Sequence, residues 1–154
     1  MINYQKILNK NLLKVFIEIL KEIEKNGLDG KNHLYITFAT QHSNTSIPEW
    51  LLQKYPREMT IVIQHEYYHL NVNKNDFNIG LSFNNKKSDL KISFDSVISF
   101  ADPSANFGLN YNFHKPNYDN LRKSKNQKKM IIKKNNSNVI SFAKYKKINP
   151  NNKN

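Results

Sequence analysis

Residues 5–26 place Ile7, Leu8, Leu12, Val15, Phe16, Ile19, Leu20 and Ile23 three and four positions apart, the period of an amphipathic helix. No later stretch holds that period for more than a few residues. "NGLDG" at 26–30 supplies the glycines that end a helix. From there the chain runs in short alternating segments rich in β-branched and aromatic residues: "HLYITF" (33–38), "MTIVIQHEYYHLNV" (59–72), "FNIGLSFN" (77–84), "LKISF" (90–94), "SVISFAD" (96–102) and "FGLNYNF" (107–113). "NKND" (73–76) and "NKKSD" (85–89) read as turns, and "IPEWLLQKYP" (47–56) as a short helix with Pro48 in its first turn. One long helix ahead of about six strands cannot alternate as βαβ units. The pattern predicts an α+β fold with mainly antiparallel sheets. The apolar stripe of the helix is wide enough to cover its own sheet, and part of it could equally face a partner subunit.

The segment "QHEYYHLNV" (64–72) contains His65-Glu66-Tyr67-Tyr68-His69, the H-E-x-x-H pattern of zinc peptidases. That pattern works on a helix, where positions i and i+4 share a face about 6 Å apart. Here "MTIVIQ" precedes it and no helix-start signal is present. On a strand, His65 and His69 lie about 13 Å apart and Glu66 points to the other face. No histidine or glutamate suited to a third ligand follows, His114 excepted. The sequence therefore predicts no metal site and no cofactor. It also holds no G-x-S-x-G, and its four glycines are too few for a phosphate-binding loop, so no catalytic residue is assigned.

The chain of 154 residues carries a formal charge of +12, unevenly spread. From His114 onward the net charge is +11, and the preceding 113 residues sum to only +1. A biased coding sequence rich in Lys and Asn codons explains such a tail as well as nucleic-acid binding does. From Pro116 the composition is polar, charged and aperiodic, predicting a disordered tail, except for one apolar cluster, "NVISFAKYKK" (138–147). The absence of cysteine excludes disulfides and thiolate chemistry. With no signal-peptide core and no membrane span in the N-terminal stretch, a cytoplasmic protein without membrane contact is expected.

The run "IPEWLLQKYPREMTIVIQH", then "FNIGLSFNNKKSDLKISFDSVISFADPSANFGL", resembles the SspB family (stringent starvation protein B), adaptors for the ClpXP protease. Several blocks in the family's order, over roughly residues 10–113, make the likeness more specific than any single motif. It implies a dimerising, substrate-binding domain over 1–113, in shape related to Sm-like barrels, a flexible basic linker over 114–137 and a ClpX-docking tail over 138–154. It further implies a non-catalytic tether with three kinds of partner: ssrA-tagged products of stalled translation, the N-terminal domain of ClpX, and a second copy of the chain.

Placed on the matching blocks, the implied ssrA-peptide groove comprises Ile63, Gln64, His65, Gly80, Ser82, Phe83, Asn84 and Asn85, with Phe100 and Ala101 as its floor. The dimer contact would use Leu12, Val15, Phe16 and Ile19, and the docking motif Val139, Ile140, Ser141, Phe142, Tyr145 and Lys146. The competing expectation is an RNA- or ribosome-associated protein acting through the basic tail, whose binding would weaken steeply with salt.

Overall fold

The computed structural model describes residues 1–111. The linker and docking tail expected at 114–137 and 138–154 lie outside the described residues. Helix α1 (Tyr4–Asn26) starts at Asn3, whose side chain accepts from the Lys6 N–H, and stops at Gly27, whose φ of +73° suits a residue without Cβ. Six further strands and one short helix follow β1 (Leu34–Ala39): α2 (Glu49–Lys54), β2 (Glu58–Ile63), β3 (Tyr68–Val72), β4 (Asp76–Phe83), β5 (Lys86–Ser93), β6 (Val97–Asp102) and β7 (Phe107–Asn110). The protein is α+β. A four-stranded antiparallel sheet runs in the order β2-β1-β6-β7, and a three-stranded one in the order β3-β4-β5.

Alternation decides what each strand buries. On β1, Leu34, Ile36 and Phe38 face inward while Tyr35, Thr37 and Ala39 face out, and β2 buries Met59, Ile61 and Ile63 in the same way. β4 contributes Phe77, Ile79 and Leu81 to the same core, and β5 Leu90 and Ile92. Between the two sheets sits Phe16 of α1, fully buried. Its ring centroid lies 6.1 Å from Phe77, 6.2 Å from Phe94, 5.2 Å from Phe100 and 6.3 Å from Tyr111. The Tyr111 hydroxyl donates to the Leu12 carbonyl at 2.9 Å, so the β7 end of the four-stranded sheet is tied back to the helix, and burial pushes that phenol's pKa up. Phe16 is thus spent in the core and is not available to the dimer contact assigned to it above.

The structure departs from the sequence reading at three further places. Residues 59–72 are not one strand: β2 ends at Ile63, residues 64–67 carry the chain from one sheet to the other, and β3 begins at Tyr68. The strands therefore number seven. The turn expected at 85–89 is a two-residue hairpin at Asn84-Asn85, with φ of +50° and +62°, and Lys86–Asp89 already belong to β5. Asparagine tolerates the left-handed region that a hairpin turn of this kind demands. Pro48 caps α2 rather than sitting inside its first turn. Among the described residues, no helix is long and apolar enough to cross a membrane.

Replacing Phe16 by Ala removes the ring that all four aromatic partners share. A loss of about 3–5 kcal/mol in unfolding free energy is expected for such a cavity. Guanidinium denaturation read by circular dichroism measures it.

Candidate functional site

The two sheets are joined through residues 64–67 and again through Phe94–Ser96, between β5 and β6. β2 is an edge strand of its sheet. β3 pairs with β4 only as far as Tyr68–Gly80, so among the described residues Leu81–Phe83 have β5 on one side and no strand on the other. Between these two open edges lies a cleft of about 610 Å³. One wall is Thr60, Ile61 and Val62; the other is Leu81, Ser82 and Phe83; Gln64, His65, Glu66 and His33 close its base. Unpaired strand edges carry backbone N–H and C=O groups without ladder partners, and such edges accept an added strand. Beside them, the half-buried side chains of Val62 and Phe83 supply apolar surface among the polar groups of Thr60, Gln64 and Ser82.

Two features shape the ends of the cleft. At the base, the rings of His33 and His65 meet edge to face, with centroids 6.4 Å apart. The His65 ring also lies against the α1–β1 turn: a Cβ on Gly30 would come within 3.0 Å of His65 Cε1, and Gly30 has a φ of +84°. A glycine is needed there on both counts. At the far end, Trp50 of α2 packs edge-on against Phe83, with centroids 6.3 Å apart, and Lys86 Nζ sits 5.0 Å over the indole.

Asp102 supports this base from behind. It is buried, and its carboxylate accepts from Asn32 Nδ2 at 2.6 Å and from the His33 backbone N–H, so it fixes the turn that carries His33 into the cleft. It also caps the 3₁₀ turn Pro103–Ala105, accepting from the Ser104 hydroxyl and from the backbone of Ser104 and Ala105. Burial by itself raises the Asp102 pKa, but the hydrogen bonds from Ser104, Asn32, Ala105 and His33 prevail and hold it below the usual carboxylate value.

Of the residues assigned to a groove from sequence, the structure brings Gln64, His65, Ser82 and Phe83 together around this cleft. Ile63 is fully buried beneath it. Gly80 lies outside the lining, buried where a Cβ would meet Tyr68 and Asp89 at 3.1 and 3.2 Å. Asn84 and Asn85 form the exposed hairpin tip. Phe100 and Ala101 do not make the floor: Phe100 is buried against Phe16 and Tyr111, and Ala101 packs beneath Gly108. His33, Thr60, Ile61 and Glu66 join the lining without having been assigned to the groove, because the crossover at 64–67 sets the two walls face to face.

The residues of the H-E-x-x-H pattern share no helix. His65 and Glu66 lie on the crossover, and His69 lies in β3 at a φ of +51°. Among the described residues, no three His, Cys, Asp or Glu side chains are grouped to hold a metal ion.

On α1, a second apolar stripe flanks the buried one. Tyr4, Ile7, Leu8 and Val15 are exposed at 74, 54, 47 and 39%, and Leu12 and Ile19 are half-buried. Of the four residues assigned to dimer contact, Leu12, Val15 and Ile19 lie on this outer stripe.

Because the folded-state pKa of Asp102 is depressed, its contribution is present above the ordinary carboxylate range and lost as pH falls through the folded value. Asp102→Asn is expected to cost about 1–2 kcal/mol at pH 7. The gap should narrow as pH falls below the ordinary carboxylate range, in urea unfolding curves of the two proteins.

A comparison with curated proteins found no match. The sequence does match the family described as SspB, stringent starvation protein B, over residues 7–153, nearly the whole chain. With a match of that extent, the chain belongs to the SspB family and is an adaptor-type, stringent-starvation protein.

Proposed function

We propose that the protein is a non-catalytic adaptor that holds the ssrA degradation tag of stalled-translation products in the β2/β4 cleft and delivers them to ClpX for degradation by ClpXP. The observation that carries this reading is the pair of open strand edges, β2 and Leu81–Phe83, on either side of one cleft, where Val62 and Phe83 stand among polar side chains. An extended peptide there gains main-chain hydrogen bonds from an edge and places side chains against Val62 and Phe83. Membership of the SspB family supports the adaptor role. Delivery follows from tethering: a tail that docks on the unfoldase raises the local concentration of whatever the cleft holds. The docking residues Val139–Phe142, Tyr145 and Lys146 fall outside the described residues. The outer stripe of α1 suits a second copy of the chain, since a row of exposed apolar residues on one helix is covered at low cost by its own two-fold mate.

The first test is fluorescence anisotropy of an ssrA-tag peptide at two salt concentrations, with the whole chain and with the chain ended after Phe113. Binding that survives both changes is expected. Val62→Asp or Phe83→Ala in the cleft should weaken it at least tenfold. Binding that vanishes with the tail, or falls steeply with salt, would sink the adaptor reading and favour RNA binding through the +11 tail.

The dimer is tested separately. Leu8→Asp with Val15→Asp places two charges on the outer stripe and none in the core. Light scattering after gel filtration should show a folded monomer where the parent chain is dimeric; a dimer in both would place the contact elsewhere.

A further inference from the structure

The cleft is open along both strand edges, and the same chain carries a segment suited to enter it. "NVISFAKYKK" (138–147) sets Val139, Ile140 and Phe142 around Ser141, the β-branched and aromatic composition that strand addition favours. It lies 27 residues beyond Tyr111, the last described residue. Tyr111 leaves the four-stranded sheet at its β7 end, and the cleft lies along β2, at the opposite edge of the order β2-β1-β6-β7. Three inter-strand spacings separate them, about 15 Å.

The composition of 112–138 is polar and lysine-rich, with little apolar surface to bury. For comparison, the root-mean-square span of any 27-residue random coil is about 30 Å. The gap to the cleft is shorter than this span, so the ends meet readily. The effective concentration of the segment at the cleft is then in the millimolar range. At that concentration, even a segment with a millimolar dissociation constant in trans occupies the cleft for an appreciable part of the time.

We propose that Val139–Phe142 is an internal competitor that adds to the open edge of the β2/β4 cleft and is displaced by a tag peptide. This rests on the peptide-cleft reading above. It adds regulation to that reading: by linkage, anything that captures the tail segment frees the cleft, and a peptide in the cleft frees the tail. Docking on a partner and loading of substrate are thereby coupled in the favourable direction.

The experiment uses the whole chain and one variant, Val139→Ser, Ile140→Ser and Phe142→Ser together, which leaves residues 1–111 untouched. The probe is a fluorescent ssrA-tag peptide followed by anisotropy. The variant is expected to bind it about threefold to tenfold more tightly than the parent. A synthetic peptide of residues 138–147 should compete with the probe at millimolar concentration. It should also shift the emission of Trp50, the one tryptophan in the chain, which stands against Phe83 at the cleft wall. Equal probe affinity in parent and variant, together with no competition by the 138–147 peptide, would overturn the proposal and leave the peptide-cleft reading standing. A probe that binds neither protein defeats the peptide-cleft reading itself and this proposal with it.

Discussion

The contact on which the rest of the structure depends is the seat of Phe16 between the two sheets. Its ring touches Phe77 from the three-stranded sheet, Phe94 from the 3₁₀ turn that follows β5, Phe100 from the four-stranded sheet and Tyr111 from the end of the chain's described part. Among the described residues no strand ladder joins the two sheets, so side-chain packing carries much of their mutual placement. A single helix that serves both sheets fixes the angle at which they meet. Because α1 spends the stripe containing Phe16, Leu20 and Ile23 inward, the neighbouring stripe of Leu8, Val15 and Ile19 is left outward as a separate surface.

The cleft follows from that arrangement. The crossover at 64–67 carries the chain from the β2 edge of one sheet to the other sheet, and β3 is too short to cover the end of β4. Proteins usually protect open strand edges because such edges invite further pairing. Here β2 and the end of β4 are left unprotected opposite one another, lined by Ile61, Val62 and Phe83. A site of this kind needs no reactive side chain. It offers backbone hydrogen bonds beside the half-buried side chains of Val62 and Phe83, which suits the extended peptide proposed for it.

Much of this was legible from the residues alone. The 3.6-residue period of 5–26 marked α1, and the strand alternation marked β1, β4 and β6. The metal-ligating pattern H-E-x-x-H requires a helix that "MTIVIQ" would not form, and residues 64–69 run through the crossover into β3. Other features were not legible. Nothing in "MTIVIQHEYYHLNV" says where one sheet ends and the next begins, because alternation is the same on both sides of the break. The Asn84-Asn85 hairpin was hidden because the lysines after it look like turn residues, although they pair in β5. Phe100 has the composition of a ligand platform and the position of a core residue, and only the register Ile36↔Phe100 tells the two apart.

The sequence by itself determined the class of the fold, the end of the helix at Gly27 and the segregation of charge into the residues from His114 on, because each of these depends on local period, backbone preference or composition. It also carried the family. The tertiary structure alone decided which apolar residues are core and which are surface, turning Phe16 inward and Val15 outward from adjacent positions. It alone brought His33, Val62 and Phe83, each from a different strand or turn, to one cleft. The reason is physical: a one-residue step reverses a side chain's direction on a strand and turns it by about 100° on a helix, and the partner that gives that direction meaning lies far away in the chain.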